Sequence, residues 1–593
     1  MSLPNLDSVI NKLKRWRKVD VWYHSSYRLP LSSMEHTGME PRRADLAMWF
    51  LLESGATRPE QVHTPRPISY SRMARVHGAD YLESLSDPRV LAGIFAAEPS
   101  EIVVDEVMRS VRLAVGGTVA AMRYALVTRG HTLNLLGGFH HAHPNGGGGF
   151  CPINDVAVAI SVLRARGFKG KVAVLDLDAH PPDGTADCLK DDPAVWIGSL
   201  SGSDWGPLPN VDEVLLPAGT DDRGYQEALT QLLRRMPKAQ MAFVLAGGDV
   251  VEGDKLGMLG LTQRGVRARD ARVFSALQDT PCVWLPAGGY HSHSWKMLAG
   301  TGLVISGRPR RRIPSRYDPL SARFAAISSA MPATRLSSGE DYGITQDDVD
   351  SLFGSRGPKE ARLLGFYTKE GVEFALFRFG FLEQVRRLGF DAVRIGIDTI
   401  GSGDRLRLYG THGRVEDILV EMVLEKRTID RHQYLFTNWL NLRNPRARFA
   451  EGRPALPGQD VPGLGLSREV AEVMSLMAKR LGLAGVAVRP AWYHVAYAGR
   501  ARFRFVDPRR QGRFEALLRD LSGVPLLDAT RAVAEGRVWL NGAPYSWEPD
   551  DYVFLAEAVP PAPEVQQQIS DERDRCHFSY ERPTGSLHSR GDA

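Results

Sequence analysis

The residues with the clearest capacity for chemistry follow an apolar run at 172–175, where Asp176, Asp178 and His180 come at intervals of two. Side chains two apart on a strand point to the same face, so these groups converge where the strand ends. Two carboxylates and an imidazole can bind a divalent cation in that arrangement. The same spacing also fits a solvated strand end followed by a helix cap at Asp183. The spacing alone leaves both interpretations open.

A second chemical group lies earlier, in the segment HTLNLLGGFHHAHPNGGGGF at 131–150. It predicts a strand at 132–136 that breaks at two glycines and leads to the adjacent residues His140 and His141. Loops at the carboxyl ends of strands carry the chemistry of α/β proteins, so both histidines are candidate acid–base groups. Taken alone, the four glycines that follow are typical of a flexible surface loop.

Two further strands end in the same way. The strand predicted at 242–245 breaks at a Gly-Gly pair before Asp249, and the strand at 283–285 breaks at a Gly-Gly pair before Tyr290. Strands that alternate with helical segments predict a parallel sheet, whose strands have their carboxyl ends on one edge. The histidines, the acids and the tyrosine can therefore meet in one crevice of an α/β domain.

Length and composition limit the class of protein. A chain of 593 residues is too long for one core, and a net charge of +5 on that length does not favour nucleic acid or a membrane surface. The four cysteines are far apart, which argues against a disulfide scaffold or a zinc knuckle. The first 22 residues lack the apolar core of a signal peptide, and no apolar run is long enough to span a bilayer. We therefore expect a cytoplasmic protein without membrane attachment.

From about residue 21 to 306 the chain resembles the arginase-like histone deacetylases and their bacterial acetoin-utilisation and acetylpolyamine relatives. The di-histidine and glycine-loop segment of that family resembles GGFHHAHPNGGGGFCPIND, and its metal strand resembles DLDAHPPDGT. The segment with its third metal ligand resembles LAGGDVVEGDKLGMLGLT, and the segment with its catalytic tyrosine resembles LPAGGY. YRLP and GDKLGMLGLTQRG indicate class IV, whose members include long-chain deacylases. The resemblance implies a three-layer α/β domain with a parallel sheet.

The resemblance also implies roles for individual residues. The metal ligands would be Asp178, His180 and Asp249, with Zn²⁺ as the expected ion and Fe²⁺ as the alternative. The catalytic residues would be His140, His141, Asp176, Asp183 and Tyr290. In these roles His141 is the general base oriented by Asp183, His140 is backed by Asp176, and Tyr290 polarises the scissile carbonyl. Asp183 could equally be a plain helix cap and Tyr290 a half-buried surface tyrosine.

Further residues match the family's substrate tunnel and its site for a structural monovalent cation. Gly149, Phe150 and Leu256 would line a tunnel for the acyl-lysine stem, whereas Trp205 fits either the tunnel or core packing. Asp176, Ser199 and Leu200 resemble the contributors to a K⁺ site.

One departure from the family follows the metal histidine, where Pro181 and Pro182 replace the usual His-Gly or Gln-Gly. Proline fixes φ and removes a backbone donor, so a turn that relied on glycine cannot be copied unchanged. The orientation of His141 by Asp183 is the feature that this change puts in question. The binuclear arginase branch is disfavoured, because Pro182 occupies the place of one of its carboxylates.

The second half of the chain resembles no family that we identify. Residues 307–343 are predicted to be a linker, 344–559 an α+β domain and 560–593 a disordered tail. We predict one amphipathic helix at 372–388, antiparallel strands from Val393 to Leu424, and a hairpin at 537–547 around Asn541-Gly542. Alternating arginines and aromatics at 500–506 could contact single-stranded nucleic acid, but a strand with one solvated face explains them better.

These observations predict a metal-dependent deacylase that hydrolyses N-acyl amides, joined to an accessory domain that binds a protein partner or presents substrate. The substrate would be an acyl-lysine protein, an acylated polyamine or a small acyl amide. The alternative is a catalytically weak or inactive deacetylase-like protein that keeps the pocket to bind acyl-lysine, another ligand or a partner, for which the double proline is the best support.

Overall fold

The structure is a computed structural model, which describes residues 18–28, 38–337, 361–450, 454–555 and 561–581. The chain forms two compact units, an amino-terminal unit (Met1–Ala330) and a carboxy-terminal unit (Met331–Ala593). None of the helices in these described ranges combines the length and the apolar character that crossing a membrane requires.

An eight-stranded sheet forms the centre of the amino-terminal unit. Its strands are β1 (Asp20–Trp22), β2 (Val62–His63), β3 (His131–Asn134), β4 (Val172–Asp176), β5 (Val195–Ser201), β6 (Val211–Leu215), β7 (Met241–Leu245) and β8 (Cys282–Leu285). They follow the order β2-β1-β3-β8-β7-β4-β5-β6, and every pairing is parallel. The predicted parallel sheet is confirmed.

Helices connect these strands. They are α1 (Arg43–Glu53), α2 (Tyr70–Met73), α3 (Ala79–Ser84), α4 (Pro88–Phe95), α5 (Val104–Thr128), α6 (Asp155–Arg164), α7 (Asp183–Leu189), α8 (Asp222–Arg235), α9 (Gln263–Ala276), α10 (Ser294–Ile305) and α11 (Pro319–Ser329), with short 3₁₀ turns at Pro59–Gln61 and Pro99–Glu101.

The sheet is buried on both faces, which makes the unit a three-layer domain. Successive residues of β4 belong to different cores: Val172 and Val174 pack in one, whereas Ala173 and Leu175 pack in the other. Side chains alternate between the faces of a strand, so a strand covered on both sides must be apolar throughout. This explains why the run at 172–175 carries no polar residue until the strand ends at Asp176.

The boundary of this unit lies beyond the predicted one. Helix α11 falls within 307–343, which was predicted to be a linker, and it packs against α1 with Phe324 and Ile327 buried. Asp318 caps the helix by accepting from the backbone amides of Leu320 and Ser321. The Ser, Ala and Pro residues of this stretch suit a short buried helix as well as a linker. Residues 338–343 of the predicted linker lie outside the described residues.

The carboxy-terminal unit contains a seven-stranded mixed sheet and a small three-stranded sheet. Its strands are β9 (Ala392–Ile400), β10 (Gly403–His412), β11 (Val415–Ile429), β12 (His432–Leu442), β13 (Gly485–Val488), β14 (Arg504–Phe505), β15 (Val538–Leu540), β16 (Ala543–Pro544), β17 (Tyr552–Leu555) and β18 (Phe578–Tyr580). Its helices are α12 (Ala333–Ser337), α13 (Lys369–Phe379), α14 (Phe381–Arg387), α15 (Ser467–Arg480), α16 (Tyr493–Gly499), α17 (Pro508–Asp520), α18 (Leu526–Ala534) and α19 (Pro563–Arg575). The predicted α+β class and the predicted antiparallel strands, β9–β11, are confirmed, and β12 extends them into a four-stranded meander, β9–β12.

Three details of this unit differ from the prediction. The single helix expected at 372–388 is two helices, because Gly380 between them has a φ of +78°. Only Arg504–Phe505 of the strand expected at 500–506 is a strand. The tail from residue 560 was predicted to be disordered, but 563–575 form α19, which packs on α17 and buries Ile569. The composition of α19 is polar and Gln-rich, so it did not indicate that the helix buries one face. The hairpin around Asn541-Gly542 is confirmed, with φ positive at both residues.

Candidate active site

Two loops of the parallel sheet bring the three predicted metal ligands together. Asp178 and His180 follow β4, and Asp249 follows the neighbouring β7. The ligand atoms of the three residues all lie within 4.8 Å of one another. His180 Nδ1 is 3.1 Å from Asp178 Oδ1 and 3.2 Å from Asp249 Oδ2. The side chain of Asp178 is only 1% exposed and that of Asp249 is fully buried.

This donor set fits a divalent cation. Burial and the nearby Asp178 carboxylate raise the pKa of Asp249, because two negative charges in a dry site repel each other. A cation removes that repulsion, and two carboxylate oxygens with one imidazole nitrogen are ligands that zinc accepts at an open catalytic site.

Glycine is required where the loops approach this cluster. A Cβ at Gly288 would lie 2.6 Å from Asp178 Oδ2 and 2.7 Å from Asp249 Oδ2. Without that Cβ, the Gly288 amide comes within 2.7 Å of Asp178 Oδ2 and donates a hydrogen bond to it. The Gly-Gly break before Tyr290 therefore leaves space for the acids and fixes one of them.

Each of the adjacent histidines is paired with its own carboxylate. His140 Nδ1 lies 3.0 Å from Asp176 Oδ2, and His141 Nδ1 lies 2.7 Å from Asp183 Oδ1. Burial acts to lower the pKa of His140, but the carboxylates of Asp176 and Asp178 raise it to about 9. Burial and the charge on His140 lower the pKa of His141. The pKa values of the two imidazoles are thus shifted in opposite directions, which leaves His140 charged and His141 available as a base.

The double proline does not prevent the second pairing. Pro182, with φ −83° and ψ 57°, leads directly into α7, whose first residue is Asp183. The Asp183 amide donates to the Pro181 carbonyl at 3.0 Å, which closes a tight turn. Asp183 therefore reaches His141 even though this turn lacks the glycine of the family pattern.

Tyr290 follows β8, which lies in the sheet between β3, the strand before the two histidines, and β7, the strand before Asp249. Its backbone amide donates to Asp254 Oδ2 at 2.6 Å. Arg43 donates to the carbonyls of Ala287 and Gly288, at 2.6 and 3.1 Å, and fixes the preceding residues. The side chain is 7% exposed, and burial raises the pKa of its phenol. Tyr290 therefore stays protonated and can donate a hydrogen bond.

The predicted tunnel residues have different positions. The Phe150 ring lies 5.5 Å from that of Tyr290, and Gly149 is so close to His141 that a Cβ would lie 2.4 Å from its ring. A narrow cavity of about 40 Å³ is lined by Gly149, Phe150, Tyr290 and His140. Leu256 is 40% exposed and does not line it. Trp205 is 53% exposed, so core packing is wrong for it, and it stacks on His141 at 5.1 Å.

The residues predicted for the monovalent cation are also brought together. Asp176 on β4 is in register with Ser199 on β5, and Leu200 follows Ser199. Ser199 is fully buried, and its Oγ has no hydrogen-bond partner among the described residues. Asp176 Oδ1 accepts from the Asp178 amide at 3.1 Å. These oxygens are compatible with K⁺, which stays a prediction.

Two buried residues that the sequence did not single out hold the site loops. Asp155, at the start of α6, accepts from the amides of Gly138 and Phe139 at 3.0 and 2.8 Å, just before the histidines. Arg269 on α9 donates to the Gly247 carbonyl at 2.7 Å and the Leu177 carbonyl at 3.2 Å. One guanidinium thus connects the two segments that carry the metal ligands. The Asn-Asp pair at the start of α6 was a local sequence signal for Asp155, whereas no local sequence pattern marked Arg269.

Known proteins resemble the amino-terminal part of this chain. Residues 37–301 match the family model described as Histone deacetylase domain. The chain is 33% identical over 282 residues to an uncharacterized protein of Picosynechococcus sp., which covers 46% of this chain and 91% of that protein. It is 31% identical over 304 residues to Histone deacetylase 2 of Arabidopsis thaliana, which covers 48% of this chain and 77% of that protein.

A solved HDAC homolog from Aquifex aeolicus aligns with a TM-score of 0.42 and 21% identity, over 56% of this chain and 91% of that one. No family model matches the carboxy-terminal half.

Proposed function

Because the chain belongs to the histone deacetylase family through its amino-terminal unit, we propose that it is a metal-dependent deacylase that hydrolyses N-acyl amides to an amine and a carboxylate. The observation that carries this proposal is the convergence of the ligand cluster, the His141–Asp183 pair and Tyr290 at one edge of the sheet.

Asp178, His180 and Asp249 would hold the metal, which supplies Lewis acidity toward the scissile carbonyl and the attacking water. His141 takes the proton of that water and later returns it to the leaving amine, with Asp183 fixing its ring. Tyr290 donates its phenol proton in a hydrogen bond to the carbonyl oxygen as negative charge develops there.

The expected substrate is an acyl-lysine protein, an acylated polyamine or a small acyl amide, and Zn²⁺ is the expected ion, with Fe²⁺ as the alternative. All four cysteines are free thiols, which suits the cytoplasmic location that we propose. We assign to the carboxy-terminal unit an accessory role in binding a protein partner or presenting substrate.

The test combines metal analysis with hydrolysis of acetyl-lysine and long-chain acyl-lysine peptides. We expect about one divalent ion per chain and a loss of roughly 100-fold in kcat on Tyr290→Phe. Tyr70→Phe is the control, because Tyr70 lies on α2 of the same unit and its side chain is 45% exposed, so the change removes a tyrosine hydroxyl outside the site. A protein that binds metal, hydrolyses none of these amides and is unaffected by Tyr290→Phe would instead be a ligand reader.

A further inference from the structure

A third histidine contacts the carboxylate that orients His141. His143 Nε2 lies 3.3 Å from Asp183 Oδ2, while His141 Nδ1 lies 2.7 Å from Asp183 Oδ1. The two oxygens of one carboxylate are therefore occupied by two different imidazoles. Rotation of the Asp183 carboxylate would break both contacts, so each imidazole restrains the other through the acid that they share.

The other ring nitrogen of His143 is held as well. Its Nδ1 lies 3.1 Å from Asp187 Oδ2, and the Lys190 ammonium pairs with Asp187 Oδ1 at 3.1 Å. Asp183 and Asp187 are four residues apart on α7, so both carboxylates lie on one face of that helix. One imidazole ring therefore lies within hydrogen-bond distance of both carboxylates.

The backbone of His143 is fixed independently of its side chain. Its amide donates to the Gly146 carbonyl at 2.8 Å, and its carbonyl lies 2.9 Å from Nδ1 of the buried His77. The ring of His143 is thus presented to α7 from a rigid loop, although its side chain is 41% exposed.

We propose that His143 is a positioning residue for the His141–Asp183 pair, which it holds by a hydrogen bond from Nε2 to the outer oxygen of Asp183. The double proline gives this contact its importance: Pro182 has no backbone amide to donate, and no side chain in the described ranges caps the start of α7. His143 supplies a restraint on Asp183 from outside that turn. This inference rests on the proposed function.

Replacing His143 by an amide residue separates its contact with Asp183 from its contact with Asp187. Gln places a donor near the position of Nε2, and Asn places one near Nδ1. We expect His143→Ala and His143→Asn to lower kcat by about tenfold at unchanged KM, the size typical of a group that orients another. His143→Gln should recover most of kcat. His63→Ala is the control, because His63 pairs with Asp20 at 2.7 Å in the same unit and should leave both constants unchanged.

Equal kcat in His143→Gln and His143→Asn would overturn the proposal, as would an undiminished kcat in His143→Ala. A crystal structure of His143→Ala gives a result that needs no turnover. We expect the Asp183 carboxylate to rotate so that its contact with His141 lengthens beyond 3.5 Å. An unchanged contact would refute the positioning role even in a protein without activity, whereas absent turnover with a rotated Asp183 would count against the proposed function alone.

Discussion

Carboxylates and basic groups lie close together both at the sheet edge of the candidate site and on one face of the β9–β12 meander. At the site, Asp176 and Asp249 are fully buried. On the meander, Arg407 and Glu421 face each other across β10 and β11 at 2.7 Å, and each side chain is 25% exposed. Asp398 and Glu421 on the meander each face arginine across the strands, whereas the acids of the site crowd around histidines.

The difference shows which charges carry a function. A solvated pair costs little to form and gains little, so it can arise wherever cross-strand register places opposite charges together. Buried acids close to one another destabilise the folded state, so they are expected where binding a ligand or catalysing a reaction requires them. Four experiments test this contrast through one property, the stability against unfolding of the unit that carries the residue.

The largest effect is expected for Arg269→Met. Arg269 is fully buried, and its loss leaves Asp270 without its ion-pair partner and the Leu177 and Gly247 carbonyls without a donor. Removing one partner of a buried ion pair typically costs about 3–5 kcal/mol. Urea unfolding of the amino-terminal unit measures this, with Arg407→Met in the meander as the control. Similar costs for the two arginines would remove the distinction between the two regions.

The sequence predicted the side chains that the structure brings together at the candidate site and missed several that hold its loops. Asp178, His180, Asp249 and Tyr290 stand at strand ends, where alternation and Gly-Gly breaks leave a local pattern. Arg269 contacts main-chain carbonyls 22 and 92 positions away, and a carbonyl has no sequence signature. For the same reason α11 and α19 were missed, because the partner surfaces that bury them lie elsewhere in the chain.

His77 predicts a pH dependence of the site region. Its Nε2 accepts from the Asn154 amide and its Nδ1 faces the His143 carbonyl, which only the neutral ring satisfies. Burial lowers the pKa of His77 from 6.5 to about 4. Between these values the unfolded chain binds the extra proton, so the contribution is complete above pH 6.5 and is lost as the pH falls toward 4.

The expected loss over that interval is about 3 kcal/mol, at about 1.4 kcal/mol per pKa unit. His77→Gln keeps the size and polarity of the side chain but cannot titrate, so its stability should fall less steeply with pH than that of the unaltered protein. Thermal unfolding at several pH values measures the two slopes. If stability depends on pH equally in both proteins, His77 does not contribute to that dependence.

Asp178→Asn should abolish stabilisation by metal. Ligand binding to the folded state adds about 2.7 kcal/mol when the free ligand is at 100 times its Kd. Added Zn²⁺ should raise the Tm of the unaltered protein and leave that of Asp178→Asn unchanged. Asp398→Asn removes an acid that pairs with Arg405 on the meander and should keep the full shift. A zinc shift that survives Asp178→Asn would place the metal elsewhere.

The smallest effect is expected for the meander itself. A double-mutant cycle with Arg407→Met and Glu421→Gln should give a coupling of about 0.2–1 kcal/mol that decreases with added salt, as for partly exposed pairs in general. The neighbouring Asp398 lies 3.9 Å from Arg407 and offers it a second acid, which further reduces the loss on removing Glu421. A coupling of several kcal/mol would mean that this face excludes water as the site does, and the meander would then be the next place to search for a function of the carboxy-terminal unit.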